Sequence, residues 1–106
     1  MYIPKYFNET DCKKIFEFIS HNEFGILVAT INEEIQAVHI PFLSSENEKG
    51  ILLKGHFAVK NKLSVAIKNE NDVLIIFNGP HAYVSSSWYH HINVPTWNYI
   101  AVHCYG

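Results

Sequence analysis

Phe24-Gly25-Ile26-Leu27-Val28-Ala29-Thr30-Ile31, then Asn32-Glu33-Glu34, then the run from Ile35 to Leu43: this stretch decides the fold class. Its first part is rich in β-branched residues, the polar triplet makes a turn, and the second part resumes apolar character. Two such runs around a short polar break read as a β-hairpin. Working outward, residues 44–50 are a polar loop, and Ile51 to Gly55 forms a third strand.

From Phe57 to Asn69 the period changes. Val59, Leu63, Ala66 and Ile67 fall on one face of a helix, which the polar run 69–72 breaks. Val73 to Phe77 is a short buried strand, ended by Asn78-Gly79-Pro80. His81 to Ser85 is a further short strand, and Trp97 to Tyr105 a last one. Upstream of the hairpin, Thr10 is the expected N-cap of a helix over residues 10–21, with Asp11 in its first turn. Ile15, Phe16, Phe18 and Ile19 supply its apolar stripe. The expected order is α-β-β-β-α-β-β-β: mainly β, about six antiparallel strands with two short helices. Sheets so rich in short hairpins close into barrels or sandwiches.

The chain has 106 residues, 48% hydrophobic and 14% aromatic, so one domain over 1–106 is expected. The net charge is −2, and all eight basic residues are lysine. A duplex reader carries a basic stripe and uses arginine forks for guanine edges and phosphates. Direct DNA binding by this chain is therefore not expected. Cys12 and Cys104 lie far apart without metal or redox spacing, which suits free thiols in a reducing cytoplasm. No apolar run has the roughly 20 residues needed to cross a bilayer.

Seven histidines raise a metal site, but His90-His91 are adjacent and no His/Cys ligand spacing appears. His39, His56, His81 and His103 each suit a structural role in or beside a strand. Glycine-rich phosphate loops and a nucleophile elbow are absent. What remains is the strand-to-helix passage Lys54-Gly55-His56-Phe57-Ala58-Val59-Lys60-Asn61. There Gly55 permits close backbone approach, and helix amides with Lys60 and Asn61 can meet a phosphate. The aromatics of 85–99, Trp88, Tyr89, Trp97 and Tyr99, can wall a flat heterocycle or centre a homodimer interface.

These stretches carry a resemblance. Residues 1–7 (Met-Tyr-Ile-Pro-Lys-Tyr-Phe), 24–28, 39–41 (His-Ile-Pro) and 55–58 (Gly-His-Phe-Ala) match, as do 79–85 (Gly-Pro-His-Ala-Tyr-Val-Ser), 87–89 and 94–99 (Val-Pro-Thr-Trp-Asn-Tyr). In order, they resemble the N-terminal part of the FMN-binding negative transcriptional regulator family, the PaiB-like proteins. The resemblance implies an FMN-binding split barrel, a homodimer with sites lined by both chains, and a possible flavin-dependent oxidoreductase activity. It implies that His39, Ile40, Pro41, Lys54, Gly55 and His56 lie along FMN, with Lys60 and Asn61 at the phosphate. Trp88, Tyr89 and Trp97 would wall the site or the dimer seam. His56 is the nearest candidate for an acid or base, with no catalytic residue assigned. Haem is the alternative cofactor, since related split barrels bind it, and a non-enzymatic regulatory or interaction module with weak or no flavin binding is the alternative function. The family places a basic residue where this chain has Val59; here Lys60 follows it, which on a helix turns the side chain by about 100°. Family members also run to roughly twice this length, and with Val59 in place of the basic residue this implies a weak or empty flavin site as the alternative to FMN binding.

Overall fold

The structure is a computed structural model that describes residues 1–68, 71–88 and 90–106. A short 3-10 turn at Lys5–Phe7 leads to helix α1 (Cys12–His21). Strands β1 (Phe24–Ile31), β2 (Glu34–Pro41), β3 (Leu43–Asn47) and β4 (Gly50–Lys54) follow, then helix α2 (Lys62–Ala66). Strand β5 (Val73–Val84), a 3-10 turn at Ser86–Trp88 and strand β6 (Thr96–Tyr105) complete the chain. The fold is mainly β, with six strands in antiparallel sheets and two helices, compatible with a split barrel. Four strands form one sheet in the order β2-β1-β5-β6, and β3-β4 form a separate hairpin.

The β1–β2 hairpin is the expected one. Its turn is two residues, Asn32 and Glu33, both at positive φ (52° and 67°), while Glu34 already pairs with Ile31. Left-handed backbone at both positions is the turn type whose twist matches a hairpin.

Strand ends shift by one or two residues, β2 stopping at Pro41 rather than Leu43, and four larger differences from the sequence expectation have local reasons. The N-cap of α1 is Asp11, not Thr10: its carboxylate accepts from the Lys13 amide at 2.9 Å. The expected loop at 44–50 is a hairpin, because β3 leaves the sheet at Phe42 and pairs with β4 from Leu43↔Lys54 to Asn47↔Gly50. The helix expected over 57–69 is confined to Lys62–Ala66. Asn61 caps it through Leu63 N–H, Ile67 is already extended, and Val59, meant for its apolar stripe, is 90% exposed. Of the expected break at 69–72, positions 69 and 70 lie outside the described residues. Finally, Gly79-Pro80 does not end a strand. β5 runs through it on a register shift between Asn78 and His81, where proline's missing N–H needs no ladder partner.

Strand alternation gives the four-stranded sheet two unlike faces. Leu27, Ala29, Ile31, Ile40, Ile75 and Phe77 point to one side and meet Ile19 of α1, Phe42 and Leu63 in a single core. α1 also meets β3, where the Ser20 and Ser44 hydroxyls lie 3.1 Å apart. The other face carries Phe24, Ile26, Val28 and Thr30 from β1. Register sets His39 beside Ile26 on one flank and Ile76, then His103, on the other. None of these is among the residues that pack against the core.

Candidate functional site

A groove that gathers four of the eleven expected site residues, Pro41, Lys54, Gly55 and His56, lies where the chain passes from β2 to β3 beside the end of β4. It has a volume of about 390 Å³ and is lined by Glu23, Pro41, Phe42, Leu43, Lys54, Gly55 and His56. Its construction follows from the split at Phe42. The Phe42 amide donates to the Glu23 carbonyl at 2.9 Å, which turns the chain, and the ring is buried edge-on against Phe77. Leu43 then pairs with Lys54 across the small hairpin, so Pro41 and His56 flank the same opening.

Gly55 has a specific task there. A Cβ at that position would lie 2.8 Å from Cδ1 of Ile40 and 3.1 Å from Cε1 of Phe42. The space is filled by the core, so the glycine lets β4 end tightly against β2. His39, Ile40 and Pro41 are consecutive in a strand and therefore divide between faces. Ile40 is buried against Gly55, while His39 and Pro41 project to the open side, the His39 ring 6.2 Å from Phe24.

The remaining expected residues stand elsewhere. Lys60 is exposed in a turn before α2, outside any helix, so the rotation argued from Val59 and Lys60 does not apply. The Asn61 side chain is engaged as the α2 cap, accepting from Leu63 N–H at 2.9 Å. A smaller cleft of about 210 Å³ lies nearby, between Ile31, Asn32, Glu34 and Gln36 of the hairpin and Lys62, Leu63 and Ala66 of α2.

Trp88 and Trp97 belong to an aromatic group on the outer half of β5–β6. Tyr83 pairs in register with Trp97, their rings 5.8 Å apart; His81 lies 6.0 Å from Trp97, and Trp88 6.4 Å from Tyr83. Tyr89 lies outside the described residues. Within one chain, then, Pro41, Lys54, Gly55 and His56 share a groove, while Lys60, Asn61, Trp88 and Trp97 do not line it. Glu23, Phe42 and Leu43 were not picked out from sequence. Phe42 was findable as the bulky apolar residue directly after the His-Ile-Pro match.

The groove's chemistry is mixed. Phe42, Leu43 and Pro41 offer apolar contact, Lys54 a cation, and His56 a ring N–H. Glu23 adds a carboxylate to the same lining, which offsets part of the attraction of Lys54 for an anionic group. Among the described residues no three His, Cys, Asp or Glu side chains stand together to hold a metal ion. No helix is long and apolar enough to cross a membrane. The Cys104 thiol is half-buried in the sheet, and burial pushes its pKa up, whereas Cys12 is exposed.

Comparison with known proteins identifies the family. The family described as "Putative FMN-binding domain" matches residues 1–106. The Bacillus subtilis "Protease synthase and sporulation protein PAI 2" is 46% identical over 106 residues, covering all of this chain and 51% of that protein. An uncharacterized Emericella nidulans protein is 31% identical over 138 aligned positions, with 55% of its length covered. An uncharacterized Saccharomyces cerevisiae protein is 37% identical over 76 residues, which is 66% of this chain. The chain spans about half the length of the curated relatives it matches. The chain belongs to the PaiB-like family of proteins with this FMN-binding domain.

Proposed function

We propose that this chain binds FMN in the groove between β2, β3 and β4, and does so as a homodimer. The observation that carries the reading is the groove itself. It joins Pro41, Lys54, Gly55 and His56 in a volume within the range of small-ligand pockets, roughly 300–1,000 Å³. Lys54 would hold the phosphate and His56 would donate to a ring or ribityl oxygen, while Phe42 and Pro41 contact the flavin ring. When bound, FMN would supply hydride and electron transfer, and the protein its orientation and local charge.

A second copy is part of the reading because the groove is walled on few sides and the aromatics lie apart from it. Tyr83, Trp88 and Trp97 of a partner's β5–β6 arm are the material for the missing wall. The accessible surface of 8759 Å², against roughly 6,100 Å² for a compact monomer of 12.2 kDa, leaves room for a second copy or for the further length that the relatives have. The Cα radius of gyration of 17.0 Å likewise exceeds the roughly 13 Å of a compact chain this long. A standard interface covers about 800 Å² per partner, well within that surplus.

The Bacillus subtilis relative is named for protease synthase and sporulation, and a regulatory role is proposed here for the whole protein on that likeness. A net charge of −2 without arginine favours regulation through assembly or flavin state over operator contact by this domain.

Titration with FMN, followed by flavin absorbance and fluorescence, tests the reading, with haem as a parallel ligand. Saturable quenching is expected. Lys54→Gln should weaken binding by about 10- to 100-fold, the value of a hydrogen bond to a charged group. No saturable binding at about 50 µM FMN, a free energy weaker than roughly 6 kcal/mol, would overturn the cofactor claim.

A further inference from the structure

The groove between β2, β3 and β4 holds a charge to which FMN binding as described above gives no role. Glu23 lines it together with Lys54 and His56, while Pro41, Phe42 and Leu43 supply its apolar part. The backbone fixes where Glu23 stands: its carbonyl accepts the Phe42 amide at 2.9 Å, directly before β1 begins at Phe24. Both Glu23 and Lys54 are exposed. Among the described residues, neither the carboxylate nor the ammonium has a hydrogen-bond or ion-pair partner. Both charges are therefore left to act on whatever enters the groove.

Helix α1 ends one residue before Glu23, and a helix C-terminus ordinarily presents partial negative charge through its last carbonyls. Here those carbonyls are engaged. Ser20 Oγ donates to the Phe16 carbonyl at 2.9 Å, Asn22 Nδ2 to that of Phe18 at 2.8 Å, and the Asn22 amide to that of Ile19 at 3.1 Å. The His21 Nδ1 lies 2.7 Å from the Glu17 carbonyl. The negative charge of the lining is thus the Glu23 carboxylate, and formally it cancels Lys54. Riboflavin is uncharged, whereas a phosphate monoester such as FMN carries about −1.5 to −2 at neutral pH. A fixed carboxylate therefore acts on one flavin and not on the other. A round space of 390 Å³ is about 9 Å across, so a phosphate held at Lys54 lies within about that distance of the carboxylate. At such a distance, with water-like screening and low salt, one unit charge weakens the binding of a doubly charged group by roughly 3- to 10-fold.

We propose that Glu23 sets the ligand selectivity of this groove: its carboxylate offsets Lys54 at the phosphate, so that the groove takes flavin with or without its phosphate. This rests on the FMN reading above and adds the residue that decides which form of flavin is held. A contact from Lys54 to the phosphate is worth about 10- to 100-fold in affinity. Reduced by the roughly 3- to 10-fold effect of Glu23, it leaves FMN favoured over riboflavin by no more than about 30-fold.

Parallel fluorescence titrations of the chain with FMN and with riboflavin, near neutral pH and at low salt, are the test. Glu23→Gln removes the charge at nearly constant shape and leaves the backbone bond to Phe42 in place. It should strengthen FMN binding by about 3- to 10-fold and leave riboflavin within about twofold of wild type. Glu23→Lys should strengthen FMN binding by a similar factor again, and both gains should shrink when salt is raised to about 0.5 M. Equal shifts for the two flavins would show a packing role for Glu23 and overturn the proposal. Saturable FMN binding that is indifferent to Glu23→Gln, or that exceeds riboflavin binding by more than about 100-fold in wild type, would overturn it too and leave the FMN reading standing. Absence of saturable binding for both flavins would overturn that reading and this inference together.

Discussion

Replacing Gly25 by alanine tests the packing that supports the groove. Gly25 pairs with Ile40, and a Cβ there would lie 2.9 Å from Cε1 of Phe77 and 3.1 Å from Cδ2 and Cε2 of Phe42. Carbon atoms sit comfortably at about 3.5–4.0 Å, so one ring or the strand must move by roughly half an ångström or more. Phe77 has no exposed surface and Phe42 is 4% exposed, the two rings edge-on at 5.7 Å, so neither has room to yield. Overpacking of this kind costs about 1–3 kcal/mol. Loss of glycine's freedom in the unfolded chain gives back about 0.4–1 kcal/mol, leaving a net destabilisation between about 0 and 2.6 kcal/mol, centred at about 1.3 kcal/mol. At this chain length each kcal/mol lowers Tm by about 4–8 °C. The assay is urea unfolding at fixed protein concentration, so that any self-association contributes equally. Phe77→Leu removes Cε1, so the double variant should be more stable than the sum of the single effects by about 1 kcal/mol. Gly55→Ala is the internal comparison: it presses the same Phe42 ring at 3.1–3.2 Å, but its nearest neighbour at 2.8 Å is the terminal Cδ1 of Ile40 rather than a Phe77 ring atom, so it should cost less. Strict additivity, or a Gly55→Ala cost equal to that of Gly25→Ala, would refute the steric argument.

Two further outcomes follow from local geometry. Glu33 holds φ at 67° in the β1–β2 turn, where a side chain other than glycine costs about 1–2 kcal/mol. Glu33→Gly creates an Asn-Gly turn and should raise stability by about 0.5–1 kcal/mol, read as a higher urea midpoint with an unchanged slope; a lower midpoint would contradict it. Burial raises the Cys104 thiol pKa, so the folded state holds that proton more tightly than the unfolded chain. Its contribution is present below the ordinary thiol pKa and is lost as pH rises through and above that value. At pH 8 a thiol reagent should label exposed Cys12 well before Cys104, and equal rates in native protein would show that Cys104 is not protected.

Much of the fold was legible because burial has a period. β1 occupies the expected span, and β6 begins one residue earlier than expected, since both alternate between a core side and an open side. Helix α1 was legible from Ile15, Phe18 and Ile19, which meet the core. The β3–β4 hairpin was not, because Ser44 to Lys49 is polar and β3 is almost wholly exposed; its pairing comes from β4 and has no local hydrophobic signature. Helix α2 was overextended because Val59 fits the helical period yet faces solvent. Gly79-Pro80 reads as a terminator in any sequence. Here it is a bulge that sets Gly79 against Phe18, where a Cβ would come within 2.6 Å of Cε2.

The same alternation explains why the candidate site was only partly legible. A contiguous motif such as His39-Ile40-Pro41 suggests three residues along one ligand, but a strand sends neighbours to opposite sides. Ile40 goes to the core and holds the end of β4 through Gly55, which keeps Lys54 and His56 at the groove. His39 goes to the open face and Pro41 to the groove's edge. One tripeptide thus joins the core, the groove and the open face, so a change at Ile40 would disturb the groove without touching its contents. Flavin affinity should accordingly fall in two ways: directly in Lys54 variants, which lose a contact, and indirectly in core variants such as Gly25→Ala, which shift the packing that seats Ile40 and the end of β4.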